Sequence, residues 1–187
     1  MYTKNLEKRL YTFPHFMLSP LAKGIQTTHS TVEMFNKYVP HKENNYEVRI
    51  QDDLEKDPFE ILFDWSNNHK TEIMLNPGVS GNLEDLKYVL EDPENFYPWA
   101  VFYEDEYSLK GIMTAISIVL TEKIYYSADI IKRNKDIFGI NVNTRRIYCT
   151  DTSKTDLDTL EQLESYGIFN PFEYELVQRL GSYRLAN

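Results

Sequence analysis

Residues 13–32 read Phe-Pro-His-Phe-Met-Leu-Ser-Pro-Leu-Ala-Lys-Gly-Ile-Gln-Thr-Thr-His-Ser-Thr-Val, and the reading of this stretch decides the fold. A short apolar run leads into Ser19-Pro20, which has the chemistry of a helix start. Serine caps the first turn, and proline suits a first position whose N–H would have no intrahelical partner. At about 100° per residue, Leu21, Ile25, Thr28, Val32 and Phe35 share one side and are expected to face a core. Lys23, Gln26 and Ser30 fall on the other side, with His29 at the border. A strand over roughly residues 9–17 thus enters a helix that should end near Tyr38, because Pro40 disfavours helix in the residue before it. The first turn carries a capping hydroxyl, free N–H groups, a lysine and an amide, which suits an anion or a polarised oxygen. The same residues also describe an ordinary amphipathic helix with a solvated polar side.

Beyond this helix, residues 41–57 are charged and irregular, with a short strand expected at Tyr46–Ile50. Asp57-Pro58 opens a second helix with Phe59, Ile61, Leu62 and Trp65 as its apolar set, ended by Asn67-Asn68. Thr71–Leu75 reads as a strand, Asn76-Pro77-Gly78 as its turn, and Asn82 as the cap of a third helix with Leu83, Leu86, Val89 and Leu90 inward. Trp99–Tyr103 is a further strand, ending at the acidic run Glu104-Asp105-Glu106. Ile112–Leu120 is apolar almost throughout, as expected of a central strand covered on both faces. This alternation predicts an α/β fold built on a small mixed sheet. After Thr121 the texture changes. Residues 122–135 and 155–166 read as helices, 139–149 is ambiguous, and Asn170-Pro171-Phe172-Glu173 starts a last helix with a capping pattern. The expected organisation is an α/β domain over residues 1–121 and a mainly helical C-terminal extension over 122–187 packed on it.

The 187 residues suffice for a sizeable core, and 42% hydrophobic with 26% charged residues is a globular composition. Fourteen tyrosines and ten phenylalanines supply core mass and stacking surface. The single cysteine, Cys149, rules out an intrachain disulfide and fits a reducing compartment. No run approaches the ~20 apolar residues of a membrane span, and no secretory segment follows Met1-Tyr2-Thr3-Lys4, so a cytoplasmic location and no membrane partner are expected. The four histidines are scattered without a partner at ligand spacing, so neither metal nor cofactor is expected. A net charge of −9 counts against a long nucleic acid, whose grip needs surplus Lys and Arg. The basic groups Lys4-Lys8-Arg9, Lys132-Arg133-Lys135 and Arg145-Arg146 stay dispersed along the chain.

The strand followed by Leu18-Ser19-Pro20-Leu21-Ala22-Lys23-Gly24-Ile25-Gln26-Thr27-Thr28-His29 resembles the start of the PTH2-type peptidyl-tRNA hydrolases, whose first helix carries a lysine and then Gln-x-x-His. Ala100–Glu104 followed by Thr114-Ala115-Ile116 is similar to that family's strand, acidic turn and threonine-bearing last strand. The likeness spans residues 9–121 and is nearest to the forms encoded by tailed phages. The family's lysine lies one position nearer the cap, where this chain has Ala22. The resemblance implies a mixed four-stranded sheet flanked by helices and hydrolysis of the ester joining a peptide to the terminal ribose of tRNA. It implies roles for Lys23 on phosphate or the oxyanion, for Gln26 and His29 in orienting groups, for Glu104 or Asp105 in holding the lysine or activating water, and for the Thr114 hydroxyl. Ser19, Ser30 and His69 are further candidates for ligand binding.

Each has a plainer reading: His29 as a packing residue, Thr114 as a strand former, the acidic run as a solvated turn. The expected ligand is a nucleotide or acyl-nucleotide, with peptidyl-tRNA as its largest form. The alternative is a non-catalytic protein that sequesters a nucleotide signal or masks a host protein, in the host cytoplasm if the chain is viral. An oligomer is compatible with either reading.

Overall fold

The computed structural model describes residues 7–39, 57–78, 80–105 and 110–185. The expected strand at 46–50 and the third acid of the turn, Glu106, lie outside them. Strand β1 (Lys8–Pro14) leads to helix α1 (Pro20–Tyr38), then α2 (Pro58–Asp64), β2 (Thr71–Asn76), α3 (Ser80–Leu90), β3 (Trp99–Tyr103) and β4 (Met113–Thr121). Helix α4 (Glu122–Arg133), a hairpin of β5 (Phe138–Ile140) and β6 (Ile147–Cys149), helices α5 (Leu157–Ser165) and α6 (Pro171–Ser182), and a two-residue strand β7 (Arg184–Leu185) complete the chain.

The central sheet is the mixed four-stranded one expected, in the order β3-β4-β1-β2, and β7 adds a fifth, short strand beside β2. Strands β1 and β2 run parallel, Arg9 opposite Thr71, while β4 runs antiparallel to both β1 and β3. Central placement explains the composition of β4: Met113 through Leu120 are all buried, so neither side of the strand needs polar residues.

Local signals set most element ends. Ser19 accepts the Ala22 N–H at 3.2 Å to start α1, and Asp57 accepts the Phe59 N–H at 2.9 Å to start α2. The Asn170 carboxamide takes the Glu173 N–H while the Glu173 carboxylate takes the Asn170 N–H, a reciprocal box at the start of α6. Gly78, at φ +91°, makes the turn after β2, its N–H bonded to the Asn76 side chain. Three boundaries differ from expectation. Strand β1 ends at Pro14, because His15 to Leu18 turn to reach the cap. The second helix runs on through a π-turn to His69, its last N–H bond going from Lys70 to the Trp65 carbonyl at 2.9 Å. The third helix starts at Ser80, two residues before Asn82, whose side chain reaches back to the Pro77 carbonyl instead.

The largest departure is the rotation of α1 about its own axis. Lys23, Gln26, Thr27, Ser30 and Met34 form its buried face, the i, i+3, i+4, i+7, i+11 set of one side of a helix. Leu21 is 77% exposed, Val32 50% and Ile25 46%, and Thr28 also lies outside. Of the expected inward set only Phe35 packs against the core.

The reason lies in the sheet. Helix α1 covers β4 and β3, and the strand face it meets carries hydroxyls. Ser30 and Ser117 oxygens are 2.5 Å apart, and Thr31 lies 3.2 Å from the same serine. Hydroxyls on one surface require hydrogen-bonding partners on the other, since an unpaired buried polar group costs about 1–3 kcal/mol. Apolar packing takes over at the far end of the helix, where Met34 is fully buried.

The opposite face of the sheet is apolar and aromatic. Phe13 on β1 meets Tyr183 edge-on with ring centroids 5.6 Å apart. Helices α4 and α6 pack on each other on this side, and Phe13 of β1 belongs to one core with Leu176, Val177 and Leu180 of α6.

Candidate functional site

A break in the β3–β4 ladder creates the polar centre beneath α1. Phe102 pairs with Ala115, but the next pair is Tyr103 with Met113, so Thr114 is an extra residue. In an unbroken strand, residues 114 and 117 would point to opposite faces; a bulge re-aims the chain. Here both reach α1, Ser117 meeting Ser30 and Thr114 meeting Gln26.

The Thr114 hydroxyl donates to the Gln26 carbonyl oxygen at 3.1 Å, and the Gln26 amide donates to the Glu104 carboxylate at the end of β3. Gln26 is 8% exposed and Thr114 1%. The Thr114 carbonyl accepts the His15 N–H at 2.8 Å, which ties the exit of β1 to the same point. Lys23, one turn before Gln26 on the same helix face, is 7% exposed. Three segments distant in sequence thus converge at the start of α1: Lys23 and Gln26, Glu104, and Thr114.

The remaining candidates take other positions. Ser19 is exposed and engaged in capping. Asp105 is exposed and directly follows Glu104 in the chain. His29 lies outside, its ring 4.6 Å from that of Phe102. Ser30 is fully buried and bonded to Ser117 and to the Thr27 carbonyl.

His69 sits just before β2, at the end of the sheet where β1 begins. Its Nε2 lies 3.4 Å from the Asp64 carboxylate, which Lys8 also engages. That contact lacks hydrogen-bond geometry: among the described residues Nε2 makes no hydrogen bond. The seven residues of β1 separate His69 from the α1 start by roughly 20 Å, so it does not join the Lys23 centre.

His15 was not legible as a site residue. It is buried beside Thr114, its Nδ1 3.4 Å from the Met17 N–H, and desolvation holds its imidazole below the usual range. The only hint in the sequence is a histidine between a strand and a helix cap. A cleft of about 850 Å³ lies elsewhere, lined by Arg9, Tyr11 and residues of α4, on the sheet face away from α1. For chemistry we weigh the α1 centre above that cleft, because reactive groups converge there whereas volume alone does no chemistry. Among the described residues no three His, Cys, Asp or Glu side chains form a metal-holding group. Among them, too, no helix is long and apolar enough to cross a membrane. No family model matches the chain, and no curated protein matches it.

Proposed function

We propose that the chain is a hydrolase of the peptidyl-tRNA hydrolase kind, acting on a nucleotide-linked ester at the start of α1. The observation that carries this reading is the Gln26–Glu104–Thr114 link, which joins the helix bearing Lys23 to the acidic end of β3 and the bulge of β4. Ester hydrolysis needs a positioned water, a base and a donor for the carbonyl oxygen as it becomes anionic. In this reading Glu104 takes the proton of the attacking water and Gln26 fixes the carboxylate. Lys23, in the first turns of α1, a helix with no acid in its first turn, receives the oxyanion or a neighbouring phosphate. The leaving group is the ribose hydroxyl. A net charge of −9 favours a small acyl-nucleotide over a whole tRNA.

The test is incubation of the purified chain with 2′(3′)-O-(N-acetylphenylalanyl)-AMP, following release of the amino acid by chromatography. Turnover is expected, with Lys23→Ala and Glu104→Gln each lowering kcat/KM by about 10²-fold or more and leaving the far-UV circular dichroism unchanged. Ester recovered intact, or turnover indifferent to both substitutions, refutes the reading.

A second reading, a non-catalytic protein that covers a host protein, is favoured by one observation. Helix α1 turns Leu21, Ile25 and Val32 to solvent, with Met17 just ahead of it 76% exposed. Contiguous apolar surface of this kind marks contact sites in other proteins. Full-length chain that cleaves no ester, yet protects Leu21 and Ile25 from solvent on adding a host extract fraction, supports that reading instead.

A further inference from the structure

The cleft on the face of the sheet opposite α1 has a chemistry of its own. Its volume, about 850 Å³, falls within the roughly 300–1,000 Å³ of sites that enclose small organic molecules. Leu75, Ala128 and Leu180 form buried apolar surface within it. Aromatic faces flank that surface: the Tyr11 and Tyr125 rings stand 6.1 Å apart at 34°, and the Arg9 guanidinium lies 4.3 Å over the Tyr125 ring.

The charges around it are arranged unequally. Two basic groups that stay apart in the sequence meet here, Arg9 from β1 with Lys132 and Arg133 from the end of α4, against one lining carboxylate among the described residues, Asp129. Arg9 is balanced by Glu7, just outside, through Nε at 3.1 Å and a second nitrogen at 2.9 Å. Arg133 is balanced by Asp129 at 2.9 Å and is largely exposed. Lys132 instead donates to the Tyr183 backbone carbonyl, and among the described residues no carboxylate pairs with it. In a chain of net charge −9 this is a place where an anion gains attraction.

We propose that this cleft binds a planar aromatic anion of nucleoside-monophosphate size, its ring against the tyrosine faces and its anionic group at Lys132 and Arg133. Ring stacking on tyrosine accepts any flat π-system, and the cations at the rim select for charge. The site is separated from the Lys23 centre by the sheet itself and stands whether or not that centre is catalytic.

The experiment is isothermal titration of the full chain with AMP, with adenosine and palmitate as comparison ligands. Saturable AMP binding is expected, with adenosine about tenfold weaker because it lacks the anion. Lys132→Met and Arg133→Glu are each expected to weaken AMP at this cleft about 5- to 20-fold. Arg133 is a solvent-facing helix position, so its variant keeps the fold even if Lys132→Met does not. Absence of saturable AMP binding, adenosine binding as tightly as AMP, or palmitate binding in place of AMP overturns the proposal. So does AMP binding that survives Arg133→Glu and disappears in Lys23→Ala, which would place the nucleotide at the α1 centre.

Discussion

The inverted packing of α1 makes a sharp comparison between two truncations five residues apart, Leu21→Ala and Gln26→Ala. If the apolar stripe faced the core, Leu21→Ala would cost about 2–5 kcal/mol, the range for buried leucine, and Gln26→Ala almost nothing. With Leu21 77% exposed, only about a quarter of the roughly 1.5–3 kcal/mol of full burial is at stake. Alanine's better helix propensity recovers a few tenths of a kcal/mol, so the net cost is about 0.5 kcal/mol or less.

Gln26→Ala removes the acceptor of the Thr114 hydroxyl, 3.1 Å away and 1% exposed, and a donor to the Glu104 carboxylate. An unsatisfied buried hydroxyl costs about 1–3 kcal/mol and a bond to a charged group contributes about 1.5–3 kcal/mol. The Phe102 carbonyl, 3.5 Å from the Thr114 hydroxyl, is a weak fallback, and Glu104 is only half-buried. The lower end of the summed range, about 2–3 kcal/mol, is therefore expected. Urea denaturation followed by circular dichroism measures both, provided the slopes match. A double-mutant cycle with Thr114→Val should return a coupling of about 1 kcal/mol. A costly Leu21→Ala beside a silent Gln26→Ala would refute the rotation of the helix and the polar centre with it.

Glu173→Ala should cost about 3–5 kcal/mol in the same assay. It strands Lys123, now 2.7 Å from the carboxylate, and removes the acceptor of the buried Tyr97 hydroxyl at 3.1 Å; a loss below about 1 kcal/mol would mean the pair contributes nothing. Burial pushes Tyr11 up to about 12, so its neutral form is favoured by folding: that stability is complete below pH ~10 and is lost as pH rises through ~12. Absorbance at 295 nm near pH 11 should therefore omit Tyr11, along with Tyr97, Tyr125, Tyr166 and Tyr183, which burial also raises, and Tyr11→Phe should leave that reading unchanged.

On the acid side, burial lowers the His15 imidazole, and Arg9 lowers the Glu7 carboxyl. Both contributions are present above the unfolded values, about 6.5 and 4.5, and fade as pH falls. Unfolding free energy should begin to drop below pH ~6.5 and drop again below ~4.5, with His15→Gln removing the first decline. A flat profile from pH 8 to 5 in wild type would contradict it.

The types and order of the described elements through β4, and of the helices after it, were determined by the sequence alone, for a local reason; the β5–β6 hairpin and β7 were not. Ser19-Pro20, Asp57-Pro58 and Asn170-Pro171 carry their caps within a few residues of the helices they start, and the run from Met113 to Leu120 excludes a solvent-facing strand whatever packs around it. The candidate centre was half legible. Lys23, Gln26, Glu104 and Thr114 stood out by chemistry; hydrogen bonds join Gln26 to Glu104 and Thr114, and Lys23 is buried on the same helix face. The side of α1 that carries Lys23 and Gln26 did not stand out, because periodicity assumes that apolar residues face the core.

Only the tertiary structure decided that orientation. The surface under α1 is a strand bearing Ser117 and, through a one-residue bulge, Thr114. Hydroxyls there pair with Gln26 and Ser30, and leaving them unpaired in a dry interface would cost more than exposing Leu21 and Ile25. Tertiary contact also brought Arg9 and Lys132 to one cleft. No local pattern links residues so far apart, and only tertiary packing, which sets Tyr125 of α4 against Arg9 and Tyr11 of β1, makes them neighbours.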